Sequence, residues 1–374
     1  MSALISIFKS PLRVVWKKII RLIISLNSNF YKNKILMQPP KVFYAGAITG
    51  SRGGPRVKVT RLKRHFPQSI FGFNAVYVLS NFSLLDRNDI ALLKKSRTPI
   101  ILNQNGVYWQ GWYGKGWSSK NSPNALIYEN SDYVFWQSNF AREAARNFLS
   151  PRDPNGEILY NAVDLYEYFP ASEKLGGNEF SFLIAGNFTL STFYQVESAI
   201  EAFAILKKRS SLRIGLKIAG LTSSLRRKTL EIATALGVSQ HVTLIGRFNQ
   251  GAAPDLLRSV DAYLALKYMD TCPNLVIEAL ACGLPIVFSN TGGTKELVDE
   301  SCGIGLSVQE SWISKPTAPE SSQIANAMEE IIPKSKAMGR ASRIRAEENF
   351  DLTNWYHRHE AVFQNFSNEK RGYG

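Results

Sequence analysis

The sequence predicts an α/β protein built from two Rossmann-like domains. After Pro40, short apolar runs alternate with amphipathic stretches of helical length, and this alternation fills two successive halves of the chain. The length of 374 residues, with 45% hydrophobic and 20% charged residues, suits two or three globular domains. We therefore expect two parallel sheets with crossover helices that face each other across a cleft.

Residues 1–40 are predicted to form a basic amphipathic helix and a polar tether. Ser10 is placed to cap the helix and Pro11 to occupy its first turn. Over residues 10–26, basic side chains recur on one side and apolar side chains on the other, as in helices that lie in a membrane interface. The charges recur too often for a spanning helix or a cleavable signal peptide. The alternative is an apolar stripe that packs on the protein itself.

The first Rossmann-like domain is expected over residues 41–164, with a C-terminal helical segment, 352–374, packing back on it. We expect this domain to bind the acceptor. Its candidate strands are Lys41–Ile48, Ala75–Asn81, Pro99–Gln104, Tyr133–Gln137 and Glu157–Ala162.

The second domain is expected over residues 165–351. Its candidate strands are Phe180–Ala185, Arg213–Ala219, Val242–Ile245, Ala262–Leu266, Pro285–Ser289 and Gly303–Leu306. Predicted helices between them are Val196–Lys208, Leu225–Leu236 and Leu275–Ala281, and Ser311–Ser322 is predicted to be a surface loop.

The segment Tyr268–Leu297 carries the strongest functional pattern. A strand runs into the loop DTCPN, and the loop opens a helix whose first N–H groups, at Asn274 and Leu275, favour a phosphate. Asp270 and Glu278 lie eight residues apart, so both carboxylates can face the carboxyl ends of the strands, where open α/β sheets bind ligands. Carboxylate oxygens accept hydrogen bonds from sugar hydroxyls.

This segment resembles the E-x7-E donor motif of family 4 glycosyltransferases, with Asp in the first position, followed by a TGG-x-x-E element. The resemblance implies the GT-B fold and retaining transfer from a nucleotide sugar without a metal. It assigns catalytic roles to Asp270, beside the transferred sugar, and to Glu278, which holds the ribose hydroxyls. The expected donor-binding residues are Gly186, Asn187, Thr189, Arg247, Lys267, Thr271, Cys272, Pro273, Asn274, Leu275, Gly292 and Gly293.

The chain departs from this family in the segment that is expected to bind the donor diphosphate. Members usually carry an Arg and a Lys after the first strand of the second domain, whereas the matching stretch here, from Gly186 to Tyr194, has neither. Arg247 and Lys267 are candidate replacements, and a plain surface role is the alternative for each. The family's cleft histidine is also missing, and an amide near Asn105 takes its place. A degenerate nucleotide-sugar-binding or scaffold protein with the same fold is therefore the alternative to an active enzyme.

The acceptor side is expected in the glycine-rich loop after the first strand, in the basic segment behind it and in an aromatic segment, 107–117. Glycines allow close backbone approach to a ligand. Aromatic faces stack on sugar rings, although local packing explains the aromatic residues equally well. The expected acceptor-binding residues are Gly50, Gly53, Gly54, Arg56, Asn105, Tyr108 and Trp109.

The composition indicates which classes of partner and cofactor the protein is expected to bind. The formal charge of +15 favours anionic partners: a glycan or lipid-linked acceptor, and an anionic membrane surface through residues 10–26. No recognised nucleic-acid module accompanies the charge, so no nucleic acid is expected. The three cysteines and four histidines have no metal-ligand spacing, so we expect no metal and no cofactor besides the nucleotide-sugar substrate. We expect a cytoplasmic protein, peripheral on the inner face of the cell membrane, that acts in cell-surface polysaccharide synthesis.

Overall fold

A computed structural model describes residues 11–30, 40–45, 47, 49–50, 54–80, 84–171 and 179–369. The chain divides into two compact units. The N-terminal unit comprises Met1–Leu159 and Thr353–Gly374, and the C-terminal unit comprises Tyr160–Leu352. The predicted site residue Gly53 lies outside the described residues, as does Ser10.

The N-terminal unit contains a five-stranded sheet in which every described pair is parallel. Its elements are α1 (Pro11–Phe30), β1 (Val42–Phe43), α2 (Gly54–His65), β2 (Ala75–Leu79), α3 (Arg87–Lys95), β3 (Ile100–Gln104), α4 (Gln110–Tyr113), α5 (Trp117–Asn130), β4 (Tyr133–Trp136), α6 (Asn139–Phe148), β5 (Gly156–Ile158) and α13 (Leu352–Glu369).

The strands of this sheet follow one another in sequence order, β1-β2-β3-β4-β5, and a single bridge beside β1 marks a change of direction. Val42 pairs with Ala75 of β2 and also bridges Gln68, which must lie on the other edge of β1. The chain therefore leaves β1 in one direction and returns in the other. In open α/β sheets the loops on either side of such a reversal form the ligand site. The described residues on these two sides include Gly50 and Gly54 after β1 and Ser80 after β2.

Helix α13 completes the N-terminal unit from the far end of the sequence. The Tyr77 hydroxyl lies 3.0 Å from Nε2 of His359, and the Tyr356 hydroxyl donates to the Arg61 carbonyl at 3.1 Å. The His65 ring stacks on Tyr356 with a centroid distance of 4.4 Å. These contacts cover the aromatic face of the sheet, while the aliphatic face packs on α1, α3, α5 and α6.

Helix α1 splits its apolar residues between the protein and the surface. Ile20 and Ile24 are buried in the core of the N-terminal unit, and Arg21 forms ion pairs with Asp86 and Asp89 around the start of α3. The stripe beside them is exposed. The exposed apolar side chains of α1 are Val14, Val15, Trp16, Ile19, Leu22 and Leu26. One face of the helix thus packs on the protein itself, and the membrane interpretation of the exposed face stays a prediction.

The C-terminal unit contains a six-stranded parallel sheet. Its elements are β6 (Phe180–Ala185), α7 (Tyr194–Arg209), β7 (Ile214–Leu221), α8 (Ser223–Ala235), β8 (Val242–Gly246), α9 (Ala253–Arg258), β9 (Ala262–Ala265), α10 (Asn274–Ala281), β10 (Ile286–Ser289), α11 (Thr294–Leu297), β11 (Gly303–Leu306) and α12 (Ser321–Asn349). The order β11-β10-β9-β6-β7-β8 is the doubly wound order of dinucleotide-binding sheets. Its reversal lies between β6 and β9, so the loops that follow these two strands flank the expected ligand crevice.

The predicted two-domain α/β fold is confirmed, and all eleven predicted strands are present. The first was predicted too long: Lys41–Ile48 shrinks to Val42–Phe43, because Ala45 adopts a left-handed φ of 35° and the Ala47 N–H closes a turn on the Tyr44 carbonyl at 2.7 Å. The 29-residue helix α12 was not predicted, since its sequence lacks a clean apolar stripe and contains Pro333.

Candidate donor and acceptor sites

Asp270 lies in the loop after β9, beside the reversal of the C-terminal sheet. Its Oδ2 is 2.9 Å from Lys267 Nζ, and its Oδ1 accepts the Thr271 N–H at 2.8 Å. The side chain keeps 19% of its surface exposed. Of the two proposed cations, Lys267 is therefore already paired with the proposed catalytic carboxylate, where it holds that carboxylate in place. The second cation, Arg247, is an exposed residue after β8.

Glu278 lies one turn inside α10 and is 2% exposed. Its Oε1 accepts a hydrogen bond from Nε2 of Gln250 at 2.7 Å, and the same Nε2 donates to the Tyr168 hydroxyl. Gln250 was not among the sequence-predicted residues, because it comes from a turn after β8, 28 residues earlier. Any hydroxyl that binds Glu278 must share the carboxylate with Gln250.

The two acidic side chains act on the same neighbour. Burial raises the pKa of the Tyr263 hydroxyl, and the negative charges of Glu278 and Asp270 raise it further. The Tyr263 hydroxyl donates to the Ala185 carbonyl at the end of β6, 3.0 Å away. Tyr263 thus joins β6 to β9 under the two carboxylates, as expected if both serve one site.

The start of α10 supplies the loop expected to meet the phosphates. Thr271, Pro273, Asn274 and Leu275 are partly exposed, whereas Cys272 is buried and its Sγ accepts the Asn161 N–H at 3.3 Å. The first turn of a helix leaves N–H groups without partners inside the helix. The Asn274 Oδ1 is a buried acceptor that no described group bonds. Cys272 therefore links this loop to the segment around Asn161 through a buried hydrogen bond.

The loop after β6 carries neutral polar groups where the resembled family has cations. Asn187 is exposed. The Gly186 N–H donates to the Ala219 carbonyl at 3.1 Å, and the Thr189 N–H donates to Thr192 Oγ1 at 2.9 Å. Thr189 thus shapes the turn that leads into α7, and of these three residues Asn187 presents the exposed side chain.

The loop after β10 is bonded to the Asp270 loop through its backbone. The Gly293 N–H donates to the Asp270 carbonyl at 2.7 Å. The Gly292 N–H donates to Oε1 of Glu310 at 2.7 Å, and Lys295 Nζ lies 3.0 Å from the same oxygen. Neither Lys295 nor Glu310 was predicted, since nothing in the local sequence marks a contact that spans 15 to 18 residues.

In the N-terminal unit the basic segment of α2 is not uniform. Lys58 is 5% exposed, and its Nζ donates to Oδ1 of Asn103 at 2.7 Å and to Oδ1 of Asn105 at 3.3 Å. Gln137, at the end of β4, donates its Nε2 to both of these oxygens. The Asn105 N–H donates to Ser80 Oγ at 3.0 Å. An ammonium and three amides thus converge where β2, β3 and β4 end.

The remaining acceptor residues are close to this cluster in sequence. Gly50 donates its N–H to Thr60 Oγ1 at 3.0 Å, the aliphatic stem of Arg56 lies against Gly50, and Gly54 begins α2. Arg56 is partly buried. The glycine before α2 and the first turn of the helix therefore form one surface.

The aromatic segment divides into a core residue and a surface group. Trp109 is 6% exposed and packs edge-on against Phe140. The Tyr108 ring stacks on Trp112 with centroids 5.1 Å apart, and Trp112 and Tyr113 keep 37% and 39% of their surface exposed. Local packing accounts for Trp109, while Trp112 and Tyr113 present aromatic surface that a sugar could meet.

The structure also bears on metal binding, membrane-spanning helices and the cysteines, within the part of the chain that it describes. No group of three or more His, Cys, Asp or Glu side chains there is arranged to hold a metal ion. None of the described helices is long and apolar enough to cross a membrane. None of the three cysteines forms a disulfide and all three are buried; burial raises the pKa of the Cys282 thiol to about 12 and that of Cys302 to about 11.

Comparison with known proteins finds a family similarity in the C-terminal unit. The family model described as Glycosyl transferases group 1 matches residues 167–343. These residues are thus similar to group 1 glycosyltransferases. The uncharacterised glycosyltransferase MJ1607 of Methanocaldococcus jannaschii is 24% identical over 184 residues, which are 46% of this chain and 45% of that protein. The match thus spans less than half the length of this relative.

Solved structures show the same fold over most of the chain. Sucrose-phosphate synthase from Thermosynechococcus elongatus superposes with a TM-score of 0.63 at 16% identity, over 79% of this chain and 74% of that one. Anabaena Alr3699/HepE in complex with UDP superposes with a TM-score of 0.64 at 15% identity, over 83% and 82%. The two parallel-sheet domains therefore have the architecture of GT-B glycosyltransferases.

Proposed function

We propose that this protein is a retaining glycosyltransferase that moves a sugar from a nucleotide sugar to an anionic glycan or lipid-linked acceptor. The observation that carries the proposal is the position of Asp270 and Glu278 within the matched domain. Asp270 follows β9 at the reversal of the sheet, and Glu278 lies in the helix that begins four residues later. Both raise the pKa of the same tyrosine. This is the place where a doubly wound sheet binds a nucleotide.

The reaction requires one glycosidic exchange and no redox step. The bond between the anomeric carbon and the donor phosphate breaks, and a bond to an acceptor hydroxyl oxygen forms on the same face of the sugar. The proton of that hydroxyl goes to the leaving phosphate, and a nucleoside diphosphate departs. Asp270 orients the sugar hydroxyls, Glu278 accepts hydrogen bonds from the ribose, and the first turn of α10 receives the diphosphate. No metal is required in this scheme.

The N-terminal unit supplies the acceptor site in this proposal. Lys58 and the Asn105 amide offer donors to an anion, and the Asn105 Nδ2 is a buried donor that no described group bonds. Trp112 and Tyr113 offer exposed rings to a sugar. A phosphorylated or acidic glycan acceptor offers an anion to these donors and a sugar to these rings. Such an acceptor is expected for an enzyme of cell-surface polysaccharide synthesis.

Turnover tests the proposal directly. Purified protein is incubated with a panel of nucleotide sugars and a membrane glycolipid extract, and release of nucleoside diphosphate is followed with time. Release with one donor, lost in the Asp270→Asn variant and kept in the Glu300→Gln variant, supports the enzyme. Glu300 is an exposed residue that serves as a charge-matched control.

A catalytically degenerate nucleotide-sugar-binding protein is the second candidate, because particular contacts favour it. Lys267 is paired with Asp270, and Glu310 occupies the Gly292 N–H. The stretch from Gly186 to Tyr194 also lacks cations. Binding of UDP without release from any donor, in the presence of the acceptor extract, would favour this candidate.

We further propose that α1 attaches the protein peripherally to an anionic, cytoplasmic membrane face. The exposed stripe that includes Trp16, Leu22 and Leu26 supports this, together with Lys17 and Lys18 on the same helix. Leu22→Ser should lower binding to vesicles that contain phosphatidylserine. The matched control is Leu212→Ser, which changes an equally exposed leucine of the C-terminal unit. Equal vesicle binding of the two variants would refute the attachment.

A further inference from the structure

The loop after β10 binds the side-chain carboxylate of Glu310. Oε1 of Glu310 accepts the Gly292 N–H at 2.7 Å and lies 3.0 Å from Lys295 Nζ. One backbone donor and one ammonium converging on a single oxygen are the elements of a phosphate site. A carboxylate oxygen has the charge and the acceptor geometry of a phosphate oxygen.

The position of this contact is next to the proposed sugar-binding carboxylate. Gly292 lies directly on the Asp270 loop, because a Cβ added to it would be 2.7 Å from the Asp270 carbonyl oxygen and from two backbone atoms of Met269. Gly293 bonds that same carbonyl. The oxygen that Glu310 presents therefore lies beside the residue that is proposed to orient the donor.

The Tyr268 side chain fixes the segment that carries Glu310. The Tyr268 hydroxyl donates to the Gln309 carbonyl at 2.9 Å and accepts the Ser311 N–H at 2.6 Å. Glu310 thus lies between two residues that are bonded to Tyr268, two residues before Asp270. Its side chain is 33% exposed and that of Lys295 is 45% exposed, so a solute can reach both.

We propose that Gly292 and Lys295 add to the first turn of α10 the part of the diphosphate site that replaces the missing cations after β6, and that Glu310 occupies this part until a donor arrives. The inference rests on the proposed function. Glu310 is then an internal competitor of the donor: the donor phosphate takes over the Gly292 N–H and the Lys295 ammonium, while Tyr268 keeps the segment close by. Lys295 is a donor-binding residue in this arrangement, and Asp270 keeps its separate role toward the sugar.

The test uses UDP as the probe on the full chain, with calorimetric titration of four proteins. Glu310→Gln keeps the shape and removes the charge, so UDP should bind roughly threefold tighter, the scale of one partly exposed ion pair. Lys295→Gln should bind UDP roughly fivefold more weakly, because the phosphate loses its ammonium. Glu300→Gln, an exposed change of the same charge, should bind like the unmodified protein.

A spectroscopic readout reports on the contact itself. Only Gly50 and Gly292 follow a threonine in this sequence, so labelling Thr carbonyl carbon and Gly nitrogen selects two amide signals. The Thr49→Ser variant removes the Gly50 signal and identifies the other. The Gly292 signal should move on UDP addition and in Glu310→Gln, and the Gly50 signal should stay.

The outcomes separate this inference from the proposed function. Weaker or unchanged UDP binding by Glu310→Gln, or a Gly292 signal that UDP does not move, overturns the inference while the transferase proposal stands. Absence of binding of UDP, ADP and GDP to the unmodified protein overturns the transferase proposal instead.

Discussion

The two units use different groups to join the strand ends of a parallel sheet. In the C-terminal unit, backbone N–H groups connect the loop after β10: Gly293 bonds the Asp270 carbonyl, and Gly292 bonds Glu310. In the N-terminal unit, side-chain amides gather around the Lys58 ammonium. A site built from backbone depends on glycines and turns, which leave a local sequence pattern. A site built from side chains depends on which strands are neighbours.

The largest effect is expected from Gly292→Ala. Gly292 has a φ of 60°, and the added Cβ would lie 2.7 Å from backbone atoms that cannot move aside. We expect a loss of more than about 3 kcal/mol in the free energy of unfolding, measured by urea denaturation. Gly237→Ala is the control, because its φ is 73° with no atom within 4 Å of the new Cβ, and it should cost about 1 kcal/mol. Equal losses of unfolding free energy in the two variants would mean that the backbone contact of Gly292 with the Asp270 loop does not contribute to stability.

Glu278→Gln should weaken UDP binding by roughly 10- to 100-fold, because charge-assisted hydrogen bonds to ribose contribute about 1.5–3 kcal/mol. Asp270→Asn should leave UDP binding within about twofold and reduce transfer, since its partner is the sugar, which UDP lacks. Calorimetry with UDP and nucleoside diphosphate release measure the two effects. The opposite pattern would exchange the roles of the two carboxylates.

Acid should destabilise the N-terminal unit before the C-terminal unit. His359 is buried: its Nδ1–H donates to the Trp355 carbonyl at 2.9 Å, and its Nε2 accepts from the Tyr77 hydroxyl at 3.0 Å. Burial lowers its pKa to about 3, well below the ordinary 6.5. The unfolded chain therefore binds the proton more readily, and stability falls as pH drops from about 6.5 toward 3. At pH 5 the loss from this group is about 2 kcal/mol.

The measurement is the free energy of unfolding between pH 5 and 7, followed by the fluorescence change that accompanies loss of the N-terminal unit. The His359→Phe variant removes the titrating group, so its stability should change less over this range. An identical pH dependence in both proteins would assign the acid sensitivity to other groups.

The smallest change in stability is expected from Lys58→Met. Replacing a buried charge by an apolar side chain of similar length is often neutral, and Gln137 still donates to both asparagine oxygens. We expect unfolding free energy within about 1 kcal/mol of the unmodified protein, together with a raised KM for an anionic acceptor. Lys95→Met, on the exposed end of α3, should change neither quantity. A large loss of stability with unchanged acceptor KM would make Lys58 a structural residue.

The sequence predicted much of the fold and part of the site. Strands Phe180–Ala185 and Gly303–Leu306 were predicted at the residues where the structure has them. The first is a buried parallel strand, which is a continuous apolar run between turns. The predicted position of the Asp270 loop agrees because Gly292, Gly293 and the α10 start are local features. Helix α12 was missed, since its 29 residues show no clean period.

Local sequence determined the strands, the position of the Asp270 loop and the amphipathic character of α1, because periodicity and turn chemistry act over a few residues. The tertiary structure alone decided that Gln250 bonds Glu278, that Glu310 reaches Gly292 and that Lys58 is buried while the other basic residues of α2 are more exposed. It also decided which face of α1 is covered. These contacts depend on the order of strands in each sheet, which brings together residues that are far apart along the chain.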